Sequence, residues 1–415
     1  MVFLPTERLE AGMVLAEDLY GNSGRLLLPG GTVLTSSHLD VLATRGVEGV
    51  EVALSSEGED ESPGPAPELL EASQTYLSRF FACTDLDHPA MAAIFRLAVK
   101  RMARRMSAGW NPPDIEELTS LRTGHLQDLF FKEEGTPLDL VRHEVKLASF
   151  PDIYFKISEV LNSPHSSANH IAEVVSKDTS LSFKLLKLVN SPFYGFPSRI
   201  DSISRAVAMV GGNELSTLAL GISAIQVFRD IPPELVDMRE FWKQSIGCGT
   251  FARILAGNRP GLSGERFFVA GMLHEIGRLV LYKKLPHASS EALIYSISNT
   301  LPLYEAERDV IGFDHSVVGS LLLKEWKLPA GLETIVRYQH NPMASPEPDG
   351  AAIIHVGHIL SVALKISSRG SLVVPPLDET AWQELGFSTK VLQDAVAQGD
   401  AQIGAIMSAF FGAEE

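Results

Sequence analysis

Residues 201–225, DSISRAVAMVGGNELSTLALGISAI, contain two consecutive amphipathic segments separated by a pair of glycines. In each segment apolar side chains recur at positions i, i+3, i+4 and i+7, namely Ile203, Ala206, Val207 and Val210, then Leu215, Leu218, Ala219 and Ile222. This spacing places each apolar set on one face of an α-helix, because one helical turn takes 3.6 residues. The stretch therefore predicts two short helices, which Gly211-Gly212 separates and Asn213 caps.

The same pattern extends towards the N-terminus as far as Pro151, a residue suited to a first helical turn. Three further apolar faces precede the quoted stretch: Ile153, Ile157, Val160 and Leu161; Ile171, Val174 and Val175; and Leu181, Leu185 and Leu188. Five short amphipathic helices in succession predict a compact helical bundle. Two helices around a glycine turn also suggest a DNA-binding motif, but residues 213–225 contain Glu214 and no lysine or arginine.

Residues 1–54 have a different pattern, which predicts a small α+β module. Apolar runs at 13–15 and 26–28 surround the turn-forming residues 20–24, and this arrangement indicates a hairpin. Ser36 or Ser37 is a candidate cap for a helix ending near Arg45, and residues 47–54 are a candidate closing strand.

Three connecting segments complete the organisation. Residues 55–67, SSEGEDESPGPAP, have the acidic, Ser-, Gly- and Pro-rich composition of a flexible linker. Residues 68–138 are predicted to be a helical connector, with one helix from Asp114 to about Lys132. A C-terminal helical segment is expected at 386–415.

Composition limits the function. The chain has 415 residues and a formal net charge of −16, which opposes nucleic-acid binding because that depends on clustered basic residues. The basic group formed by Lys100, Arg101, Arg104 and Arg105 is interpreted as a solvated helix face. Two cysteines, the absence of a signal-peptide pattern and the absence of a long apolar run favour a cytoplasmic protein without membrane insertion.

One local motif suggests chemistry, the sequence GMLHEIGR at 271–278. Its adjacent His274 and Glu275 offer a nitrogen and an oxygen ligand to one divalent metal. Further histidines follow at 315, 340, 355 and 358. Bundle proteins form metal sites by bringing such residues together from separate helices, whereas the alternative is that each histidine is a satisfied polar residue.

An ordered set of short motifs resembles the HDOD family over residues 139–385. The first half carries FPDI at 150–153, KDTSL at 177–181, LVNS at 188–191 and ISRAV at 203–207; the second carries FWKQS at 241–245, AGMLHEIG at 270–277, DHSVVG at 314–319 and WKLP at 326–329. The resemblance implies a mainly α, HD-like domain of two helical lobes, preceded by a small α+β leader module at 1–54.

HDOD domains are similar to HD and HD-GYP phosphohydrolases, which hold metals through histidines and aspartates and hydrolyse substrates such as cyclic di-GMP. Where active relatives carry ligands, this sequence has Gln244, Glu275 and His358. Loss of aspartate removes negative charge that would balance a dication. The resemblance therefore implies a non-catalytic signalling scaffold that acts by binding signalling proteins or a ligand. Self-association is another expected mode of interaction, and no cofactor is expected.

The alternative is a metal-dependent phosphohydrolase of cyclic di-GMP or another nucleotide. Its candidate metal ligands are His274, Glu275, His315, His340 and His358, which otherwise form a vestigial hydrogen-bonded cluster. Gln244 and Arg278 are candidate ligand-binding residues, since a guanidinium matches phosphate oxygens. The competing interpretation of Arg278 is a solvated helix residue.

Overall fold

A computed structural model describes residues 65–412 except 120–125, 130–135, 146–149, 162, 164–166, 197, 229–230 and 367–370. Before residue 54 it describes short segments, namely 2–6, 9, 14–16, 19–20, 26–28, 32, 34, 42, 47 and 49–53. In the described parts of the chain no helix combines the length and apolar character of a membrane span.

The N-terminal strands are β1 (Val2–Pro5), β2 (Val14–Leu15), β3 (Leu19–Tyr20), β4 (Leu26–Leu28) and β5 (Gly49–Ala53). Strand β5 is central in an antiparallel sheet of order β1-β5-β2, while β3 and β4 form a separate antiparallel pair. The predicted hairpin is therefore formed by β3 and β4. Pairing of the apolar run at 13–15 with the run at 26–28 is wrong, because Val14 and Leu15 pair with β5 instead.

The N-terminal segment has a small core of its own, formed by Leu9, Leu34, Leu42 and Val50. The helix predicted between Ser36 and Arg45 lies outside the described residues except for Leu42, which is buried. Residues 55–64 of the predicted linker also lie outside them. The leader module therefore stays a prediction.

Helices make up the rest of the described chain. Their bounds are α1 Pro67–Ser78, α2 Pro89–Ser107, α3 Ile115–Thr119, α4 Pro137–Val145, α5 Asp152–Leu161, α6 Ala168–Val175, α7 Thr179–Val189, α8 Ile203–Val210, α9 Gly212–Val227, α10 Met238–Ala256, α11 Gly264–Leu273, α12 Ile276–Lys284, α13 Pro286–Asn299, α14 Leu303–Val310, α15 His315–Glu325, α16 Ala330–Tyr338, α17 Pro348–Ala363, α18 Glu379–Leu385 and α19 Thr389–Phe411. Short 3₁₀ turns occupy Arg79–Phe81 and Pro342–Ala344.

The five helices expected from the apolar spacing are α5 to α9, and their apolar faces enter one extended hydrophobic core. The predicted cap at Asn213 is wrong, since α9 already begins at Gly212 and Gly211 precedes it. Gly211 has φ of 105°, a conformation that side-chain-bearing residues rarely adopt. The turn between α8 and α9 therefore depends on glycine.

The region at 68–138 packs into the same core as the later helices. Leu77, Met91 and Ile94 are buried there, and α2 contacts both α17 and α19. The single helix predicted from Asp114 to Lys132 is wrong, because residues 126–129 are not helical. Instead, the Asp128 carboxylate accepts hydrogen bonds from the backbone N–H groups of His287 and Ala288 at 2.8 and 3.3 Å, which caps the start of α13.

Helix α10 lies at the centre of the second half, in contact with α11, α17 and α19. The approach to α11 is so close that a Cβ atom on Gly271 would overlap the backbone of Gly249. A second close approach joins α12 to α15, because a Cβ atom on Gly277 would overlap the His315 carbonyl oxygen and the Gly319 nitrogen. The approach at Gly277 brings the segment that carries His274 beside the segment that carries His315.

Candidate functional site

Four helix ends and one helix centre supply the histidine cluster. His274 and Glu275 occupy the break between α11 and α12, and His315 is the first residue of α15. His340 follows the end of α16, whereas His358 lies in the middle of α17. Breaks and ends of helices expose backbone groups that are not bonded within the helix, so side chains at these positions readily exchange hydrogen bonds with neighbours.

His274 and His358 form a direct imidazole pair. The Nε2 atom of His274 lies 2.8 Å from Nδ1 of His358, and the Nδ1 atom of His274 lies 2.5 Å from the carbonyl oxygen of Gly271. A carbonyl only accepts, so Nδ1 of His274 carries a proton and Nε2 accepts one from His358 when both rings are neutral. Burial, the largest cause, lowers the pKa of His274 to about 4 and the pKa of His358 well below its ordinary value.

Glu275 is satisfied by an internal ion pair. Its Oε2 atom lies 2.7 Å from Nη1 of Arg278, and its Oε1 atom accepts a hydrogen bond of 2.9 Å from the Ser371 hydroxyl. Arg278 also donates to the Tyr282 hydroxyl and to Ser371. Burial alone would raise the pKa of Glu275, but the Arg278 guanidinium and the neighbouring histidines together outweigh it and lower the pKa, so the carboxylate stays ionised.

The interpretation of Arg278 as a solvated residue is wrong. Its exposed fraction is 1%, and its guanidinium is directed at Glu275, Tyr282 and Ser371. These internal partners occupy the donors that a phosphate would need. Arg278 is therefore a counter-ion of Glu275 in this arrangement.

His315 and His340 form a second imidazole pair, in which the two Nε2 atoms are 3.0 Å apart. The Glu307 carboxylate receives the His315 backbone N–H at 2.8 Å and lies 2.6 Å from its Nδ1 atom. Burial would lower the pKa of His315, but Glu307 reverses this and raises it. For His340, burial followed by repulsion from His315 lowers the pKa well below its ordinary value.

The structure brings the five predicted metal-ligand candidates into one cluster. The two imidazole pairs meet where the rings of His340 and His358 approach to 5.6 Å between centroids. His355 is not part of it, since its Nδ1 atom lies 2.9 Å from the Gln339 carbonyl oxygen and its Nε2 atom accepts from the Asp378 backbone. Gln244 is buried on α10, with no hydrogen-bond partner for its Nε2 atom among the described residues.

A divalent metal does not fit the side chains as they lie. His274, Glu275 and His358 present ligand atoms within 4.8 Å of one another. However, two nitrogens on one tetrahedral metal would be about 3.3 Å apart, as follows from bonds of about 2.0–2.1 Å. The 2.8 Å between His274 and His358 is instead a hydrogen-bond separation, and Arg278 already neutralises the carboxylate.

Several supporting residues were missed by sequence reasoning. Glu307 orients His315, Tyr282 and Ser371 hold Arg278, and Gln339 donates to the His274 carbonyl oxygen at 2.7 Å. Tyr282 carries a local signal, since it lies one helical turn after Arg278. Ser371 carries none, because its proximity arises from the fold.

Comparison with known proteins supports the fold. The HDOD domain model matches residues 147–342. An uncharacterized protein of Treponema pallidum (strain Nichols) is 26% identical over 204 residues, 48% of this chain and 39% of that relative. The match therefore spans well under half of the relative's length.

Among solved structures, an HDOD domain protein with unknown function from Geobacter sulfurreducens is 23% identical, with a TM-score of 0.51. The similarity covers 66% of this chain and 97% of that one, and at this identity it shows the fold alone. His358 lies beyond the matched residues 147–342, although its ring pairs with His274 inside them. Residues 147–342 of this chain thus belong to the HDOD domain family and form part of a predominantly helical, HD-like fold.

Proposed function

We propose that this chain is a non-catalytic bacterial signal-transduction scaffold that acts through its HDOD domain by binding partners. The observation that supports this most is the closure of the histidine cluster. The exposed fractions of His274, Glu275, His315 and His358 are 0%, 0%, 1% and 3%, whereas His340 is half-buried at the edge of the cluster. A phosphate ester cannot reach groups that solvent does not reach.

Charge supports the same proposal. A hydrolytic metal must keep an open coordination position and lower the pKa of its bound water. In this cluster Glu275 is the carboxylate nearest the His274 and His358 pair, and its charge is balanced by Arg278. The His274 and His358 side chains are neutral imidazoles, which give a dication little electrostatic stabilisation.

The alternative is a phosphohydrolase of cyclic di-GMP or another nucleotide. It is favoured by the proximity of His274, Glu275 and His358, whose ligand atoms lie within 4.8 Å of one another. Metal binding would require the pair of imidazoles to separate and Arg278 to release Glu275. The cost of breaking a buried ion pair weighs against this rearrangement.

The test compares purified protein with His274→Ala and with His287→Ala, whose side chain is 48% exposed outside the cluster. We expect substoichiometric metal by mass spectrometry and no turnover of cyclic di-GMP with added Mn²⁺, Mg²⁺ or Zn²⁺. Turnover that is lost in His274→Ala and retained in His287→Ala would establish the alternative. Partners are then sought by affinity capture from the native cytoplasm, with and without residues 1–54.

A further inference from the structure

An open cleft lies between the two halves of the helical body. It has a volume of about 490 Å³ and is lined by the first turns of α9 and α16, by α11 and by Tyr154 of α5. This volume is within the range of small-molecule sites, roughly 300–1,000 Å³. The cleft is distinct from the histidine cluster, which contains none of its lining residues.

Two helix starts direct partial positive charge at the cleft. Helix α9 begins beside it after Gly211, and α16 begins beside it after Pro329; neither start has a side-chain cap. The first N–H groups of a helix have no partner within the helix, and the helix dipole adds partial positive charge. These two helices, of 16 and 9 residues, thus present uncapped N–H groups at one cavity.

Arg266 adds a full positive charge to the same place. Its guanidinium lies so close to the first turn of α16 that a Cβ atom on Gly331 would overlap Nη2. A cation at a helix N-terminus is unfavourable unless an anion accompanies it. Here the anion is Glu347, which forms an ion pair with Arg266, with side chains 47% and 37% exposed. Such an exposed pair is weak and can be exchanged for an anionic ligand.

Two hydroxyl groups in the cleft lack hydrogen-bond partners among the described residues. They belong to Tyr154 and Ser216, each only 7% exposed. Both hydroxyl oxygens are open to the cleft and are not sealed in the core, so a polar ligand that enters the cleft can bond them. They are a second sign, independent of the helix starts, that the cleft is built to receive a polar ligand.

The remaining lining residues restrict the ligand. Leu220 and Leu332 supply apolar surface beside Tyr154, which suits an aromatic or aliphatic body. Glu214 and Glu347 bring two carboxylates to the cleft. They would repel a polyanion, so a single anionic head is favoured.

We propose that this cleft binds a small molecule with one phosphate or carboxylate head and an apolar body. The head replaces Glu347 on Arg266 and accepts from the first turn of α16, while the body lies against Tyr154, Leu220 and Leu332. The proposal goes beyond the scaffold function and involves neither metal nor hydrolysis, so it is tested separately from them.

The experiment is isothermal titration of the full chain with phenyl phosphate, benzoate, phenol and inorganic phosphate. We expect one of the two aromatic anions to bind at least tenfold more tightly than phenol or inorganic phosphate. Phenol lacks the anionic head, and inorganic phosphate lacks the apolar body. The better of phenyl phosphate and benzoate identifies the head group. Arg266→Gln should weaken that binding by roughly tenfold or more, because a charge-assisted bidentate contact is lost.

Arg259→Gln is the matched control, since Arg259 forms a similarly exposed ion pair with Asp349, with side chains 31% and 48% exposed. It should leave binding unchanged, whereas Glu347→Gln should tighten it severalfold by freeing Arg266. Ser216→Ala should weaken it. The proposal is overturned if neither aromatic anion binds at millimolar concentration, or if Arg266→Gln and Arg259→Gln have equal effects.

Discussion

Helices α11 and α16 connect two regions with opposite properties. Their first turns line the open cleft, where Arg266 is exposed and two hydroxyls have no partner among the described residues. Their C-terminal ends lead into His274 and His340 in the buried cluster, and Gln339 links them there by its hydrogen bond to the His274 carbonyl oxygen. Arg266 and His274 are eight residues apart, which corresponds to about 12 Å along a helix.

This difference between the cluster and the cleft shows which polar groups are available to bind a ligand. Most polar groups in the cluster bond internally, through the Glu275–Arg278 ion pair and the two imidazole pairs. Among the described residues only Nδ1 of His340 and the nearby Nε2 of Gln244 and Oε1 of Gln339 are buried there without a partner. Polar groups in the cleft are more accessible. The motif around His274 is thus engaged mainly in internal contacts, whereas the ligand site that we propose lies in a region without a motif.

The largest expected effect is from breaking the buried ion pair. Arg278→Met leaves Glu275 charged and unpaired, so we expect a loss of about 3–5 kcal/mol in the free energy of unfolding. Arg259→Met, in the exposed pair with Asp349, should cost about 0–1 kcal/mol. Urea denaturation measures both. Equal losses would mean that the cluster is not the more strongly coupled region.

The next effect concerns the close approach of α12 and α15. Gly277→Ala introduces a Cβ atom that overlaps the backbone at His315, so we expect destabilisation of about 1–3 kcal/mol or more. Gly404→Ala in α19 is the control, since no atom lies within 4 Å of its added Cβ. It should stabilise the protein by about 0.5–1 kcal/mol, as alanine favours a helix. Both changes are read from urea midpoints.

A third test uses pH. The pKa of His274 falls from 6.5 to about 4 on folding, and the pKa values of His340, His355 and His358 also fall. The unfolded chain therefore binds more protons at pH 4–6.5, and stability should decrease as pH falls through this window, by up to about 1.4 kcal/mol per pH unit for each such group.

His315 acts in the opposite direction, since its raised pKa contributes stability below pH 6.5 that is lost as pH rises through the folded value. Four histidines with lowered pKa values outweigh one with a raised pKa, so unfolding free energies measured at pH 5 should be below those at pH 7. His274→Gln should reduce this dependence. If the slope of unfolding free energy against pH is unchanged in His274→Gln, the lowered pKa of His274 is contradicted.

The smallest stability effect belongs to the cleft. Arg266→Gln removes an exposed ion pair and relieves an unfavourable cation at the start of α16, so the free energy of unfolding should change by less than about 1 kcal/mol. Thermal unfolding without ligand measures it. A large loss would show that Arg266 is a structural residue like Arg278, and the contrast between the two regions would disappear.

Local sequence predicted the helical elements well where apolar spacing was regular. Helices α5 to α9 follow from residues such as Ile157, Leu185 and Val207, since an amphipathic face defines both the helix and its buried side. The motifs around His274 and His315 also identified the HDOD domain. Prediction was wrong at residues 126–129, where Asp128 caps α13, and at Asn213, where the backbone at Gly211 defines the start of α9.

Local sequence specifies which residues form helices and which side chains carry ionisable groups, because both depend on neighbours within about one helical turn. How those groups are used follows from the folded arrangement. Arg278 pairs with Glu275 and is held by Ser371, 93 residues away, and His358 meets His274 across 84 residues. Hydrogen bonds and burial between distant segments determine whether a group is charged, satisfied or open to a ligand, and spacing along the chain does not encode these contacts.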